Sequence, residues 1–242
     1  MNNRTFVIHK IKGKKFFKGT KYDTPTRINK EAGGAEVYTT IEFKGKNIKF
    51  GNKNPNILKI ADITHRRVIK VGGRWDKYLI GKAVKEIEYK AYYSLNKNIF
   101  ISNADKNIAY EAAKRLEKNY GLKVQKMTFM KNLKLKDLYL KIKNIDGITN
   151  VQFNVEGIIP RVKQATFSGE ELDKSSFTID IENIKVKCNI KYIGLTILWG
   201  IKLDKKIKVK ISENGWVTFA EDYPIETCLE FILYLMGQKI FV

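Results

Sequence analysis

Two groups of side chains in the first third of the chain have the composition of a phosphate-contacting surface. Lys10, Lys12, Lys14, Lys15, Lys18 and Lys21 are interleaved with Phe16, Phe17 and Tyr22. Ammonium groups at that density neutralise phosphates and release counterions, and rings among them can stack on unpaired bases or wedge between base pairs. The second group is His65-Arg66-Arg67, Lys70 and Arg74-Trp75. The chain holds 39 Lys and 7 Arg, yet Arg66, Arg67 and Arg74 fall within nine residues. Arginine kept at one place points to its planar fork, which suits phosphate or guanine edges. Structural roles compete with both readings. The lysine segment can be a solvated hairpin tip whose phenylalanines return to the core, and the arginines can pair with Asp62 or Asp76.

A metal-dependent nuclease is the sharpest enzymatic alternative. Glu42-Phe43-Lys44 and Glu88-Tyr89-Lys90 share the acid-x-lysine spacing, which puts a metal ligand and a lysine on one strand face. Asp62 or Asp76 would supply a second carboxylate, making Asp76, Glu88 and Lys90 the residues of that reading. A restriction-type nuclease carries the motif on the strand directly before its helix, and here that strand is expected at 98–102. The motif is also short for a lysine-rich chain. Other chemistry lacks a signature. Gly33-Gly34 and Gly72-Gly73 are not phosphate-loop spacings, and two histidines with two cysteines make no local zinc site. His9 sits in an expected strand, His65 sits beside arginines, and Cys188 and Cys228 fall on apolar faces. No cofactor and no metal are expected.

Charge decides between these chemistries. Residues 1–150 hold 34 Lys and Arg against 13 Asp and Glu, whereas residues 151–242 hold 12 of each. AT-rich coding accounts for lysine in place of arginine, but not for the excess of bases over acids. Self-repulsion confined to one half is tolerated best where a polyanion neutralises it. DNA or RNA is the expected partner, with an acidic protein as the alternative. No apolar run reaches the ~18 residues of a membrane span. The opening Met-Asn-Asn-Arg-Thr has no secretion-signal core, so a cytoplasmic protein without a membrane partner is expected.

The elements that must position these residues read as an α+β fold of mainly antiparallel sheets. Strands are expected at 4–11, 36–43, 48–50, 86–95 and 98–102, with Lys44 to Asn47 as a turn. Segment 57–79 has a mixed pattern that assigns to no element. A helix capped by Asn103 or Asp105 and stopped by Gly121 carries Ile108, Ala112 and Leu116 on one face. With the strand 122–129 it makes one expected βαβ unit. Segment 133–145 leans to helix, ended by Asp146-Gly147 before a strand at 149–155.

From there the pattern is an antiparallel meander, 177–181, 184–192, 195–203 and 207–213. A hairpin at Asn214-Gly215 leads into 216–220, and a final helix starts at Asp222 and Pro224 and stops at Gly237. Its face of Ile225, Cys228, Leu229, Ile232 and Met236 packs on that sheet. The expected division is 1–145, basic and nucleic-acid-binding, and 146–242, neutral, with the join between 130 and 157. Phe231, Ile232, Leu233, Leu235, Ile240, Phe241 and Val242 exceed what one helix face needs. That surplus leads to an expected homodimer or unnamed subunit on the C-terminal half, unless 240–242 folds back as a strand. The expected function is non-catalytic binding of nucleic acid joined to a protein-interaction module.

Overall fold

The computed structural model describes residues 4–12, 21–50, 56–71, 74–75, 78–79, 81–94, 96–120, 123–130, 133, 135–155, 163–169, 172, 189–199 and 205–242. It is mostly antiparallel sheet with few helices, as the α+β reading expects. Two compact units divide the chain: His9–Gln125, here the basic unit, and Met1–Ile8 with Lys126–Val242, here the flanking unit. The division falls inside the strand β1 (Arg4–Lys12), and its other limit lies ahead of the 130–157 interval drawn from sequence. Among the described residues no helix is long and apolar enough to cross a membrane.

The basic unit is built on β2 (Lys21–Asp23), β5 (Thr39–Phe50), β6 (Asn56–Lys70), β9 (Lys82–Ser94) and β10 (Ile99–Ser102). Their order is β10-β9-β6-β5-β2, each neighbouring pair antiparallel, with β1 beside β10. Two small ribbons accompany them, β3 (Arg27–Asn29) with β4 (Ala35–Val37), and β7 (Arg74–Trp75) with β8 (Tyr78–Leu79). The helix α1 (Lys106–Tyr120) begins where expected, with the Asp105 carboxylate accepting from the Asn107 N–H at 2.8 Å. Its Ala109, Ala112, Ala113 and Leu116 are buried, and Leu116 shares a core with Ile41, Ile63, Ala91 and Phe100. Strand, helix and strand follow one another through β10, α1 and β11 (Lys123–Lys126), but β11 pairs with β1.

Two expectations for this unit are corrected. Lys44 to Asn47 is a bulge inside one long strand: β5 pairs with β6 on both sides of it, with Phe43 opposite Ala61 and Asn47 opposite Lys59. Gly45 takes φ +67° there, so a turn-like sequence relieves a strand without reversing it. The unassigned segment 57–79 is largely β6, which the sequence hides because its inward row, Ala61, Ile63, His65 and Arg67, ends in polar residues.

The flanking unit orders β13 (Gln164–Ser168), β12 (Ile145–Asn154), β14 (Asn189–Trp199), β15 (Lys205–Ser212) and β16 (Trp216–Phe219), then the first half of β1. All these pairs are antiparallel. The short helix α2 (Leu135–Lys141) is where the ambiguous segment leaned, but Asp146-Gly147 lies within β12 rather than ending a helix. The described parts of the strands expected at 184–192 and 195–203 are one strand, β14, running through Gly194. The strand expected at 177–181 lies outside the described residues. The hairpin at Asn214-Gly215 stands, with Gly215 at φ +71°. Pro224 occupies the position just before α3 (Ile225–Gly237), with no capping side-chain hydrogen bond, rather than the helix's first turn.

The apolar surplus of α3 is consumed inside this unit. Phe231, Ile232 and Leu235 are fully buried, as is Ile240. The tail pairs with 128–130: Thr128 and Val242 exchange N–H···O bonds of 3.2 and 2.9 Å, and Phe241 stacks on Phe129. Of the residues that suggested a partner, Val242 alone is exposed. The reason for expecting a subunit on this helix therefore falls away.

Candidate nucleic-acid interface

In register across the basic unit's sheet, Thr39, His65 and Ile87 form one inward-facing row beneath α1. The alanines of α1 let the helix approach closely, and Glu111 and Arg115, one turn apart, reach the strands. Glu111 is the centre of a charged cluster. Its carboxylate is 3.0 Å from Arg115 Nη2, 3.3 Å from Arg67 Nε and 3.8 Å from His65 Nε2. Arg115 Nη1 donates to the backbone carbonyls of Arg66 at 2.7 Å and Tyr38 at 3.1 Å. The Arg66 N–H donates to the same Tyr38 carbonyl, at the break between β4 and β5. Beneath them Thr39 Oγ1 lies 2.8 Å from His65 Nδ1, and the Thr39 N–H donates to Thr24 Oγ1.

Electrostatics make this cluster positive. Burial pushes His65 down to about 4, the Arg115 charge adds to that shift, and Glu111 opposes it. The imidazole is therefore neutral at pH 7. Burial also lowers the Arg115 pKa, opposed by Glu111 and reinforced by the nearby charges of Arg27 and Arg67. Arg66 lies over the Tyr38 ring, 5.4 Å from its centre, and 3.5 Å from Glu86. Glu111 thus faces the Arg67 and Arg115 guanidinium groups directly, with Arg27 near Arg115, while the neighbouring Arg66 turns to the other face of β6 toward Glu86. Arg66 and Arg67 remain about a quarter exposed, so their outer edges can accept a phosphate.

The other expected contact residues are spread around this unit. Lys10 and Lys12 are exposed on β1, on either side of buried Ile11. Lys21 is exposed on β2, 3.4 Å from Asp23. Lys70, exposed at the end of β6, stands opposite Lys82, a pair of like charges at one rung. Arg74 belongs to β7. Lys14, Lys15, Phe16, Phe17 and Lys18 lie outside the described residues. His9 is buried with its ring edge-on to Tyr110 at 5.2 Å, a core position. Sequence reasoning missed Arg27, Glu111 and Arg115. The Glu-Arg pair at i and i+4 next to the buried Leu116 was the available signal.

The outward face of the same sheet has another character. Lys21, Glu42, Asp62 and Lys90 stand in register across four strands, two neighbouring carboxylates flanked by two lysines. Lys44 Nζ lies 2.9 Å from Glu42 and 3.5 Å from Asp62, between the two carboxylates. Glu88 is opposite Thr64, and Asp76 lies outside the described residues. Among the described residues no three His, Cys, Asp or Glu side chains gather as a metal-holding group. Five acids of the unit (Asp23, Glu42, Asp62, Glu86 and Glu88) sit on strands that also carry paired bases. Over residues 9–125 the bases outnumber the acids by 16, 27 Lys and Arg against 11 Asp and Glu. No protein-family model matches the chain, and no curated protein matches it in sequence.

Proposed function

We propose that the basic unit binds DNA or RNA through the phosphate backbone, without catalysis, in the cytoplasm. The observation that carries this reading is the net charge of +16 on residues 9–125, in a chain whose total is +21. The arginine cluster around Glu111 supports it with forked donors, and exposed lysines on β1, β6 and α1 supply point charges. Lys10, Lys12, Lys21, Arg66, Arg67, Lys70 and Arg74, with the Lys14–Lys18 segment, are the assigned contact residues. Phosphate contacts of this kind position a protein on nucleic acid without reading sequence.

Fluorescence anisotropy with duplex and single-stranded oligonucleotides at two salt concentrations tests the proposal. Affinity should fall steeply as salt rises, because each contacted phosphate releases counterions. No binding at low salt would end the reading and turn attention to an acidic protein partner. Incubating plasmid with the protein and magnesium or manganese separates the nuclease. Cleavage that disappears in Glu88→Ala would replace binding with catalysis.

A further inference from the structure

The flanking unit has a sheet face that α3 does not cover. Ile207, Val209 and Ile211 point toward α3, so Lys206, Lys208 and Lys210 of β15 point the other way. On that open face Ser168, Asn150, Gly194, Lys210, Thr218 and Thr5 stand in register across six strands. The row is polar throughout except at Gly194, and there the face sinks into a groove of about 370 Å³. Thr149, Asn150, Lys208, Lys210 and Thr218 stand around it.

Gly194 is what opens this groove. A Cβ at that position would meet Thr149 Oγ1 at 2.9 Å and Asn150 Cβ at 3.2 Å. The register of β12 against β14 shifts between Ile148 and Asn150, which brings both side chains toward the glycine. A glycine inside a strand commonly marks close approach of another group to the backbone. The volume lies within the ~300–1,000 Å³ of small-molecule sites.

The groove's chemistry has two parts. Its floor is the backbone at Gly194, Leu195 and Val209 beside Ala220, a surface for a flat ring. Its rim carries Lys208 and Lys210, on one strand face with their Cα atoms about 6.6–6.8 Å apart. Lys210 Nζ sits over the Tyr192 ring at 4.0 Å, and Lys208 Nζ is 3.9 Å from Glu221. Asn150 adds an amide that already accepts from Ser168 Oγ and keeps donor capacity.

We infer that this groove binds a nucleotide, with the phosphate at Lys208 and Lys210 and the base on the floor beside Gly194. A ring without an anion leaves the lysines unused, and an anion without a ring leaves the floor uncovered. The inference stands on this groove and not on the charge of the basic unit. The nucleotide can be free or part of a single strand, since both present the same chemistry.

Calorimetric titration of the full chain with adenosine 5′-monophosphate, adenosine and inorganic phosphate tests it. The nucleotide should bind, and each fragment should bind at least about tenfold more weakly, the loss of one good charge-assisted contact. The double variant Lys208→Gln/Lys210→Gln changes half-exposed and exposed side chains and should keep the fold, checked by circular dichroism. It should lose about tenfold or more for the nucleotide, whereas Lys10→Gln/Lys12→Gln should lose nothing. Gly194→Ala should also weaken binding without removing charge. Equal nucleotide affinity in the wild type and the double variant, or adenosine binding as well as its monophosphate, overturns the inference. If a short single strand displaces the nucleotide, the site takes a strand. If it does not, the site takes the free nucleotide. Duplex anisotropy that survives Lys208→Gln/Lys210→Gln while the titration fails would sink this inference alone and leave the basic unit's role intact.

Discussion

Each unit lays one helix on one face of an antiparallel sheet, yet the two are held together by different physics. In the basic unit α1 presents Ala109, Ala112 and Ala113, and Glu111 and Arg115 tie it to β6 and the β4–β5 break. In the flanking unit α3 presents Phe231, Ile232 and Leu235, with the Phe231 ring edge-on to Trp199 at 5.1 Å and Phe219 at 6.0 Å. The open faces differ as well. One carries two neighbouring carboxylates flanked by lysines, the other a row of hydroxyls and one amide interrupted by Gly194 and Lys210. Net charge over a whole segment therefore describes neither face. In the basic unit Lys44 offsets Glu42 and Asp62 locally, and the half of the chain with balanced charge still gathers lysines on β15.

The comparison breaks most visibly at Gly215. Its φ of +71° disfavours any side chain, and a Cβ there would fall 2.3 Å from the Met127 carbonyl oxygen. Neither group can yield, because the Gly215 carbonyl accepts from the Ile8 N–H at 2.7 Å. Gly215→Ala should cost about 3 kcal/mol or more in denaturant unfolding. A loss under about 1 kcal/mol would mean the hairpin shifts freely, and the flanking unit would not be the tightly packed half.

Acid should act on the other unit. The unfolded chain protonates His65 near 6.5, while burial holds the folded imidazole neutral down to about 4. Its contribution is fully present above pH 6.5 and is lost as pH falls toward 4, roughly 3 kcal/mol at most. His65→Gln removes that titration, so stability of wild type and variant should converge between pH 7 and pH 4.5. Parallel curves over that window would show that His65 is not a proton-excluding core residue.

Smaller, and of opposite sign in two assays, is the effect of Glu111→Gln. Losing the carboxylate leaves Arg67 and Arg115 facing each other, at about 1–2 kcal/mol, since the pairs are partly exposed. The same change removes a negative charge beside the arginines and should raise duplex affinity severalfold at low salt. A variant that is less stable and binds no better would place the arginine cluster in the architecture alone.

How much of this was legible in the sequence follows from what each segment must satisfy. Alternation located β1, β9 and β10, the Asp105 cap located α1, and Asn214-Gly215 located its hairpin, because each obeys a local rule. β6 escaped because tertiary contacts let His65 and Arg67 face inward, where Glu111 receives them. The bulge at Lys44 to Asn47 and the continuous β14 escaped because a glycine reads as a break, whereas cross-strand pairing kept both strands running. The arginine cluster was half legible. Arg66 and Arg67 are adjacent in sequence, but Arg27 and Arg115 join them only through the fold.

The smallest expected effect is at Lys44, and it tests whether the charged row holds the basic unit together. Its ammonium lies between Glu42 and Asp62, and the Glu42 hydrogen bond raises its pKa above the usual lysine value. Removing it in Lys44→Ala leaves two carboxylates directly opposite each other on neighbouring strands, an unfavourable pair. Water surrounds all three groups, so screening and the freed side-chain entropy should cancel nearly all of that loss. The expected result is a denaturation midpoint indistinguishable from wild type at moderate salt and slightly lower in low salt. Calorimetric titration with magnesium provides a second readout, because the lysine occupies the space a cation bridging those carboxylates would need. A marked loss of stability at every salt concentration would make the outward ion pairs part of the basic unit's glue. The contrast with the flanking unit would then rest on charge against apolar packing throughout, rather than on the helix contacts alone.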